Sequence, residues 1–119
     1  MTDRTQPRLV KFSDLDFVPR AEGGDMAQLA QICGTPDGTE LGVGMGRLTN
    51  AWIEWTIKYD EVLTVLDGEL KLHIAGRDEP YVLKPHDSIW LPEGTALVYE
   101  AESALLAYAI HPADWADRQ

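Results

Sequence analysis

The segment WTIKYDEVLTVLDGEL, Trp55–Leu70, alternates apolar and polar positions before it reaches a turn at Gly68. A period of two is typical of a β-strand with one buried face. Glu61 has the same parity as Leu63 and Val65. The segment therefore predicts a strand whose carboxylate points into the same interior as its apolar side chains.

Similar short segments recur along the chain, with Gly, Pro and Asp turns between them. This pattern predicts an all-β sandwich or barrel. A helix over Asp25–Ile32 is an alternative for the first segment, and Arg8–Phe12 could add a short strand. The 119 residues suit a single domain, residues 1–119, with an N-terminal arm over 1–25 and a core over about 26–112. The predicted strands are Met26–Cys33, Leu41–Leu48, Ala51–Ile57, Glu61–Leu66, Glu69–Ile74, Tyr81–Lys84, Ser88–Leu91, Ala96–Glu100 and Ala104–Ile110.

Composition limits the partners and the cellular compartment. A net charge of -10 argues against nucleic acid and anionic membranes, because both attract clustered Lys and Arg. The longest apolar run, Ala104–Ile110, is too short to cross a bilayer. Residues 1–14 lack the apolar region of a signal peptide. Cys33 is the single cysteine, so no internal disulfide can form, and we expect a cytoplasmic protein.

The segment LGVGMGRL, Leu41–Leu48, has glycine at every second position. This spacing does not fit a phosphate-binding loop, and no helical pattern follows it. It predicts a strand with one face of bare backbone, over which something bulky should lie. Trp52, Trp55 or Trp90 could fill that space.

The parity of the strands predicts which side chains surround Glu61. Trp55 and Ile57 point inward, and so do Leu97 and Tyr99, whereas His73 should be a solvated surface residue. Tyr59 lies two residues from Glu61, and a buried phenol needs a hydrogen-bond partner. The predicted ligand-binding residues are Trp55, Ile57, Tyr59, Glu61, Leu97 and Tyr99.

A carboxylate inside an apolar layer must find a partner or take up a proton, because an unpaired buried charge costs several kcal/mol or more. Glu61 could therefore have a functional role, with catalysis as an acid or base among the possibilities. It could equally be a structural residue at the rim of the barrel that is hydrated and hydrogen-bonded to a nearby Tyr or amide.

The motifs around Glu61 resemble those of the cupins. Glu61, six intervening residues and Gly68 are similar to the end of the first cupin motif, and Pro92-Glu93-Gly94 is similar to part of the second. The resemblance implies a double-stranded β-helix, which is a jelly-roll barrel. It also implies a histidine-depleted site, because Trp55 and Ile57, or Glu54 and Thr56, stand where the first motif has histidines, and Leu97 stands at the second-motif position.

The resemblance to the cupins, with the motif histidines replaced, also implies which cofactor to expect. We expect no metal or other cofactor, although Glu61 could hold a divalent metal weakly. A metal site that unites Glu61, His86 and His111 is an alternative, but it would require three loops to converge.

A narrower resemblance is to the cupin domain of EutQ-like ethanolamine-utilisation proteins, which also lack the metal histidines. That family is associated with acetate-kinase-like chemistry. The matching residues are Trp55-Thr56, Tyr59-Asp60-Glu61, Val65-Leu66-Asp67-Gly68-Glu69-Leu70, Pro92-Glu93-Gly94 and Pro112-Ala113-Asp114-Trp115.

Three functions are compatible with these observations. The first is a metal-free cupin that binds a small polar metabolite, with aromatic walls that suit an amine. The second is an enzyme in which Glu61 acts as an acid or base or as a weak metal ligand. The third is a structural or assembly protein with a filled barrel. We expect a homodimer, and Trp90 and Trp115 could pack against the second subunit.

Overall fold

The structure is a computed structural model that describes residues 6–20 and 24–118. Short 3-10 turns occur at Phe12–Asp14, Thr35–Asp37 and Trp115–Arg118. Almost all other regular structure in the described residues is strand. The strands are β1 (Val18–Arg20), β2 (Gly24–Cys33), β3 (Gly42–Thr56), β4 (Asp60–Gly68), β5 (Leu70–Ile74), β6 (Tyr81–Leu83), β7 (Ser88–Leu91) and β8 (Ala96–His111).

Strands β3 and β8 organise the barrel, because they pair antiparallel along almost their whole lengths, from Gly42 opposite Ile110 to Thr56 opposite Ala96. One half of this pair is extended by β2 and β1 on one side and by β4 and β7 on the other. The other half of β8 pairs with β5, which in turn pairs with β6. This arrangement confirms the predicted all-β, double-stranded β-helix fold.

The two longest strands each join segments that the sequence pattern separates. Except for the end residues Leu41 and Ile57, β3 contains the segments predicted at Leu41–Leu48 and Ala51–Ile57. β8 contains those predicted at Ala96–Glu100 and Ala104–Ile110. Asn50 adopts a positive φ of 43° inside β3, but the register with β8 is the same before and after it. The positive φ of Asn50 therefore does not end β3, and pairing with β8 continues beyond it.

The strand predicted at Met26–Cys33 is formed, whereas two alternatives that the sequence left open near the N-terminus are not. Residues Asp25–Ile32 are strand, not helix, because they pair with β3 from Ala27 opposite Leu48 onward. Arg8–Phe12 does not form a strand, and its last residue begins a 3-10 turn. Tertiary pairing with the sheet overrides the local helical pattern in the first case.

Much of the predicted N-terminal arm lies against the sheet. β1 pairs with β2, which places Val18 opposite Leu29. Before β1, the guanidinium carbon of Arg47 lies 4.1 Å from the centroid of the Phe17 ring. The arm therefore supplies both an edge strand and a cover for part of the outer surface.

Gly68, the glycine of the first motif, is required by close packing. It has a φ of +79°, which L side chains rarely adopt, and a Cβ at this position would overlap the carbonyl oxygen of Ser103. The motif spacing thus places a left-handed residue at the end of β4, where the chain turns into β5.

The core lies between the two halves of the barrel. The alternation predicted for β4 and β5 is confirmed, since Val65, Leu70 and Leu72 are fully buried and Leu63 is 3% exposed.

None of the helical segments in residues 6–20 and 24–118 has the length and apolar character needed to cross a bilayer.

Candidate functional site

Glu61 lies near the start of β4 and faces the barrel interior, as its parity predicts. Its neighbours across the sheet are Leu91 on β7 and Ile110 on β8. Only 6% of the residue is exposed, and it is the one buried charged residue in the described part of the chain. The β-strand alternation that buries Leu63 and Val65 therefore also removes this carboxyl group from water.

Glu61 lies on the wall of a cavity of about 280 Å³. One part of the wall is aliphatic and another carries phenol and indole rings. The interior of the barrel is therefore not completely filled by side chains. The cavity is lined by Arg20, Ala27, Leu29, Gln31, Gly46, Leu48, Tyr59, Glu61, Leu63, Tyr99, Leu106, Tyr108, Ile110, Ala113 and Trp115.

Burial raises the pKa of the Glu61 carboxyl group from its ordinary value of 4.5 to about 7. The positive charge of Arg20 and a hydrogen bond with Tyr99 oppose this change but do not cancel it. The Oε1 atom of Glu61 is buried and has no hydrogen-bond partner in the described structure. Glu61 is thus a buried acid that titrates near neutral pH and has one unsatisfied oxygen.

Three tyrosines lie around the carboxyl group. Burial, followed by the charge of Glu61, raises the pKa of Tyr59 to about 12 and also raises the pKa of Tyr99 and of Tyr108. All three phenols therefore stay protonated near neutral pH and can donate hydrogen bonds. Tyr99 uses its hydroxyl group to hydrogen-bond Glu61.

An aromatic cluster closes one side of the cavity. The Nε1 atom of Trp55 donates a hydrogen bond of 3.3 Å to the hydroxyl oxygen of Tyr59. Trp115 packs against both residues, with centroid distances of 5.9 Å to Trp55 and 5.2 Å to Tyr59. Edge and tilted contacts of this kind fix ring orientations, so the wall is preorganised.

Arg20, the last residue of β1, also reaches this cluster. Its guanidinium carbon lies 4.9 Å from the centroid of the Trp55 ring and 5.9 Å from that of Tyr99. Both distances are within the range of a cation–π contact. The N-terminal segment thus places a positive charge on the cavity wall.

The bare face of β3 points inward, and side chains from neighbouring strands cover it. At Gly44, a Cβ would lie only 2.5 Å from the carbonyl oxygen of Ala30 and would overlap the hydroxyl group of Tyr108. The prediction of a bulky cover is therefore confirmed. The proposed tryptophans do not supply it: Trp52 and Trp90 are 54% and 66% exposed, and Trp55 packs in the cluster described above.

The structure brings together only some of the residues predicted for the site. Tyr59, Glu61 and Tyr99 line the cavity, and Trp55 supports it through Tyr59 and Trp115. Ile57 and Leu97 are inward-facing core residues, 1% and 5% exposed, and are not part of the cavity wall. Leu97 and Trp55 border a second, shallower groove of about 710 Å³.

The three histidines lie apart from Glu61. His73 faces outward, where its Nε2 atom forms a 2.8 Å hydrogen bond with Glu100 Oε1, so it is a hydrogen-bonded surface residue. His86 occupies the turn between β6 and β7 with a φ of 79°. His111 lies 3.9 Å from Glu40 at the surface. The alternative metal site of Glu61, His86 and His111 is therefore not formed.

The donor set does not fit the metal that many cupins hold. Within residues 6–20 and 24–118, no group of three or more His, Cys, Asp or Glu side chains could hold a metal ion. Transition metals need several nitrogen, sulfur or carboxylate ligands for tight binding. Here Glu61 is surrounded instead by phenols, aliphatic side chains and one guanidinium.

Sequence reasoning missed most residues of the cavity lining, among them Arg20, Tyr108 and Trp115. Arg20 gave no signal, because its contact with the core depends on the pairing of β1 with β2. Tyr108 lies in a segment that is apolar on both faces, so its parity was ambiguous. Trp115 belongs to the closing Pro-Ala-x-Trp motif, but we expected it at a subunit contact, and it lies on the cavity wall.

A β-barrel of this topology with an interior Glu defines the chain as a cupin. An RmlC-like cupin from Shewanella frigidimarina has the same fold, with a TM-score of 0.72 over 91% of this chain and 93% of the other at 15% identity. The model of the family described as ethanolamine utilisation protein EutQ matches residues 6–117. The chain belongs to the EutQ family.

This chain matches a different share of the length of each relative in the family. The solved structure of a putative ethanolamine utilization protein Q from Salmonella typhimurium has a TM-score of 0.83 and 25% identity over 95% of this chain and 92% of that chain. An acetate kinase EutQ of Clostridioides difficile is 28% identical over 92% of this chain and 69% of its own length. For the acetate kinase EutQ of Salmonella typhimurium, the identity is 30% over 73% of this chain but only 38% of the relative.

Proposed function

We propose that the protein is a metal-free cupin that binds a small, amine-bearing metabolite in the cavity around Glu61. The observation that carries this proposal is the buried Oε1 atom of Glu61, which lacks a hydrogen-bond partner beside a cavity of about 280 Å³. An unsatisfied buried acceptor is costly, and a ligand that donates to it removes that cost.

The walls of the cavity favour a cationic donor. An ammonium group would pair with the Glu61 carboxylate and lie against the rings of Tyr59, Tyr99 and Trp115. The cavity volume is near the lower end of the range for small-molecule sites, which suits a metabolite with few heavy atoms. The names of relatives in the family, which refer to ethanolamine utilisation, make ethanolamine the first probe to use.

Isothermal titration calorimetry with ethanolamine tests this proposal. At pH 8, Glu61→Gln should weaken binding at least tenfold, because a hydrogen bond to a charged group contributes about 1.5–3 kcal/mol. The exposed Glu102→Gln is the matched control and should bind like the wild type. Unchanged heats on titration into Glu61→Gln would contradict the proposal.

The pH dependence of the same titration gives a second test. With a pKa of about 7, roughly a tenth of Glu61 is ionised at pH 6 and roughly nine-tenths at pH 8. Because ethanolamine stays protonated over this range, its affinity should rise by up to about tenfold from pH 6 to pH 8. A flat profile would mean that the ammonium group does not pair with Glu61.

The second candidate is an enzyme in which Glu61 acts as a general acid or base. A pKa of about 7 favours this function, since proton transfer is most efficient when the catalytic pKa is near the working pH. Acetate kinase is the activity named for the relatives, so ATP-dependent phosphorylation of acetate is the assay of choice. Activity that is lost in Glu61→Gln but not in Glu102→Gln would favour the enzyme.

Metal analysis of the purified protein tests whether the binding protein or the enzyme would work without a bound metal. Metal bound near one equivalent and lost in Glu61→Ala would overturn the metal-free proposal. The third candidate, a structural protein with a filled barrel, is less favoured because space remains around Glu61.

We also propose that the protein is a cytoplasmic homodimer that pairs through the outer face of β7, β4, β8 and β3. Strand register places Trp90 beside Val62, Val62 beside Ala109 and Ala109 beside Val43 in one uncharged row. Trp90 is 66% exposed and Val62 is 43% exposed. Two copies with a net charge of -10 approach with least repulsion through such a face.

A further inference from the structure

Tyr108 is the one tyrosine of the cavity wall whose hydroxyl group forms no hydrogen bond within the described structure. The hydroxyl group of Tyr59 accepts a hydrogen bond from Trp55, and that of Tyr99 is bonded to Glu61. The Tyr108 hydroxyl is accessible, since Glu61 Oε1 is the only buried polar side-chain atom without a partner among the described residues. The cavity wall therefore contains a phenol whose hydrogen bonds are available to a ligand.

Strand register places Tyr108 near Glu61 on the inner face of the barrel. On β4, Glu61 lies opposite Ile110 of β8, and Leu63 lies opposite Tyr108. Glu61 and Tyr108 are therefore diagonal neighbours on adjacent strands. Residues in this relation start about 7–8 Å apart, within reach of aromatic and long side chains. Both residues line the same cavity, so one small ligand can contact both.

Gly44 makes room for the hydroxyl group of Tyr108. It lies opposite Tyr108 on β3, and a Cβ at this position would overlap the hydroxyl oxygen. The Tyr108 ring thus extends over the bare backbone of β3. Glu61 is attached to β4, which flanks β8 on the other side. The carboxyl group and the phenol therefore meet different parts of a ligand that lies between them.

The surroundings of Tyr108 favour an uncharged partner. Burial, followed by the charge of Glu61, raises the pKa of the Tyr108 phenol, so the phenol stays protonated near neutral pH. The same negative charge disfavours an anionic ligand group beside the phenol. A ligand hydroxyl group carries no charge and can both donate and accept a hydrogen bond, which matches the capacity of the phenol.

We propose that Tyr108 determines specificity and that the ligand is a small amino alcohol, whose amine pairs with Glu61 and whose hydroxyl group bonds Tyr108. This inference rests on the proposed amine-binding function and adds the second group that the ligand must carry. An alkylamine of the same length fills the same space but leaves the phenol unpaired. A site built to bond a hydroxyl group discriminates against an analogue that lacks it.

Two pairs of amines test the inference by isothermal titration calorimetry at pH 8. Ethanolamine is matched by propylamine, and propanolamine by butylamine, so that each pair exchanges a terminal hydroxyl group for a methyl group. The pair with the larger preference for the hydroxyl group indicates the spacing between the two recognition groups. β-Alanine, which has a carboxylate where propanolamine has its hydroxyl group, should bind more weakly than propanolamine.

Tyr108→Phe removes the hydroxyl group and keeps the ring over Gly44. It should weaken binding of the preferred amino alcohol by about three- to tenfold, the contribution of one neutral hydrogen bond, and change the affinity for the matched alkylamine by less than about twofold. Tyr81→Phe, at an exposed tyrosine on β6, is the matched control and should bind all of the amines like the wild type. Thermal unfolding monitored by circular dichroism verifies that both variants are folded.

The possible outcomes separate this inference from the function on which it rests. Glu61-dependent binding of the amines, with a hydroxyl preference that Tyr108→Phe leaves unchanged, overturns the inference alone. An equal loss for both members of a pair also overturns it, because Tyr108 would then shape the cavity without recognising the hydroxyl group. Tighter binding of β-alanine than of propanolamine overturns the assignment of an uncharged group. Absence of Glu61-dependent binding by every amine overturns the proposed function as well.

Discussion

Replacing Glu61 with Gln should make the protein more stable at high pH. The pKa of Glu61 is raised from 4.5 to about 7 in the folded protein, so the folded state binds a proton more tightly than the unfolded state does. The stability that this protonation contributes is fully present below pH 4.5 and is lost as the pH rises through 7. Gln remains neutral and does not have this dependence.

The magnitude follows from the two pKa values. A difference of about 2.5 at about 1.4 kcal/mol per pKa unit gives roughly 3.4 kcal/mol in total. About 2.5 kcal/mol of this amount falls between pH 5 and pH 8. The unfolding free energy of Glu61→Gln minus that of the wild type should therefore increase by about 2.5 kcal/mol over this range.

Urea denaturation monitored by tryptophan fluorescence, at four pH values from 5 to 8, measures this difference. Subtracting the two proteins at each pH cancels the groups they share. Glu102→Gln, at an exposed position on β8, controls for loss of a surface charge and should show no comparable increase. A constant difference for Glu61→Gln, or one that falls with pH, would refute the assignment of Glu61 as a buried acid with a raised pKa.

Three further perturbations test other parts of the structure. Gly44→Ala should destabilise the protein by about 2 kcal/mol in urea denaturation, since its methyl group meets a backbone carbonyl; Gly46→Ala meets only a leucine side-chain end at 3.2 Å and should cost less. Trp90→Lys should convert the proposed dimer to a monomer in light scattering at micromolar concentration, whereas Trp52→Lys should not. Tyr99→Phe should raise the pKa of the buried carboxyl group above about 7 in ¹³C NMR titration, because the hydrogen bond from its hydroxyl lowers that pKa.

Specific results would contradict each of these expectations. Equal destabilisation at the two glycines would mean that the approach of Tyr108 and Ala30 to Gly44 is less close than described. A dimer that survives Trp90→Lys would place the subunit contact elsewhere, and a wild-type monomer would remove the dimer altogether. A carboxyl pKa that falls in Tyr99→Phe would show that the Tyr99 hydroxyl stabilises the protonated carboxyl group and not the ionised one.

The sequence predicted the barrel because period-two alternation and turn residues are local signals. Glu61 could be placed inside by its parity with Leu63 and Val65, and the bare face of β3 could be inferred from its glycines. These predictions needed no knowledge of which strands pair, since each depends on positions within one strand.

The composition of the cavity wall depends on pairing that the sequence does not reveal. Arg20 reaches Trp55 because β1 pairs with β2. Ile57 and Leu97 do point inward, but an inward side chain can fill the core without bordering the cavity. Parity therefore predicted which faces are buried, and only the register between strands determines where empty space remains.

The continuity of β3 and β8 has a consequence for how the molecule loses its structure. Because each of these strands contributes to both halves of the barrel, neither half keeps its full set of backbone hydrogen bonds when the other comes apart. Amide protons from Ala96 to Ile110 should consequently exchange with deuterium at rates that converge on a single global opening event, with no early release at either end of the strand.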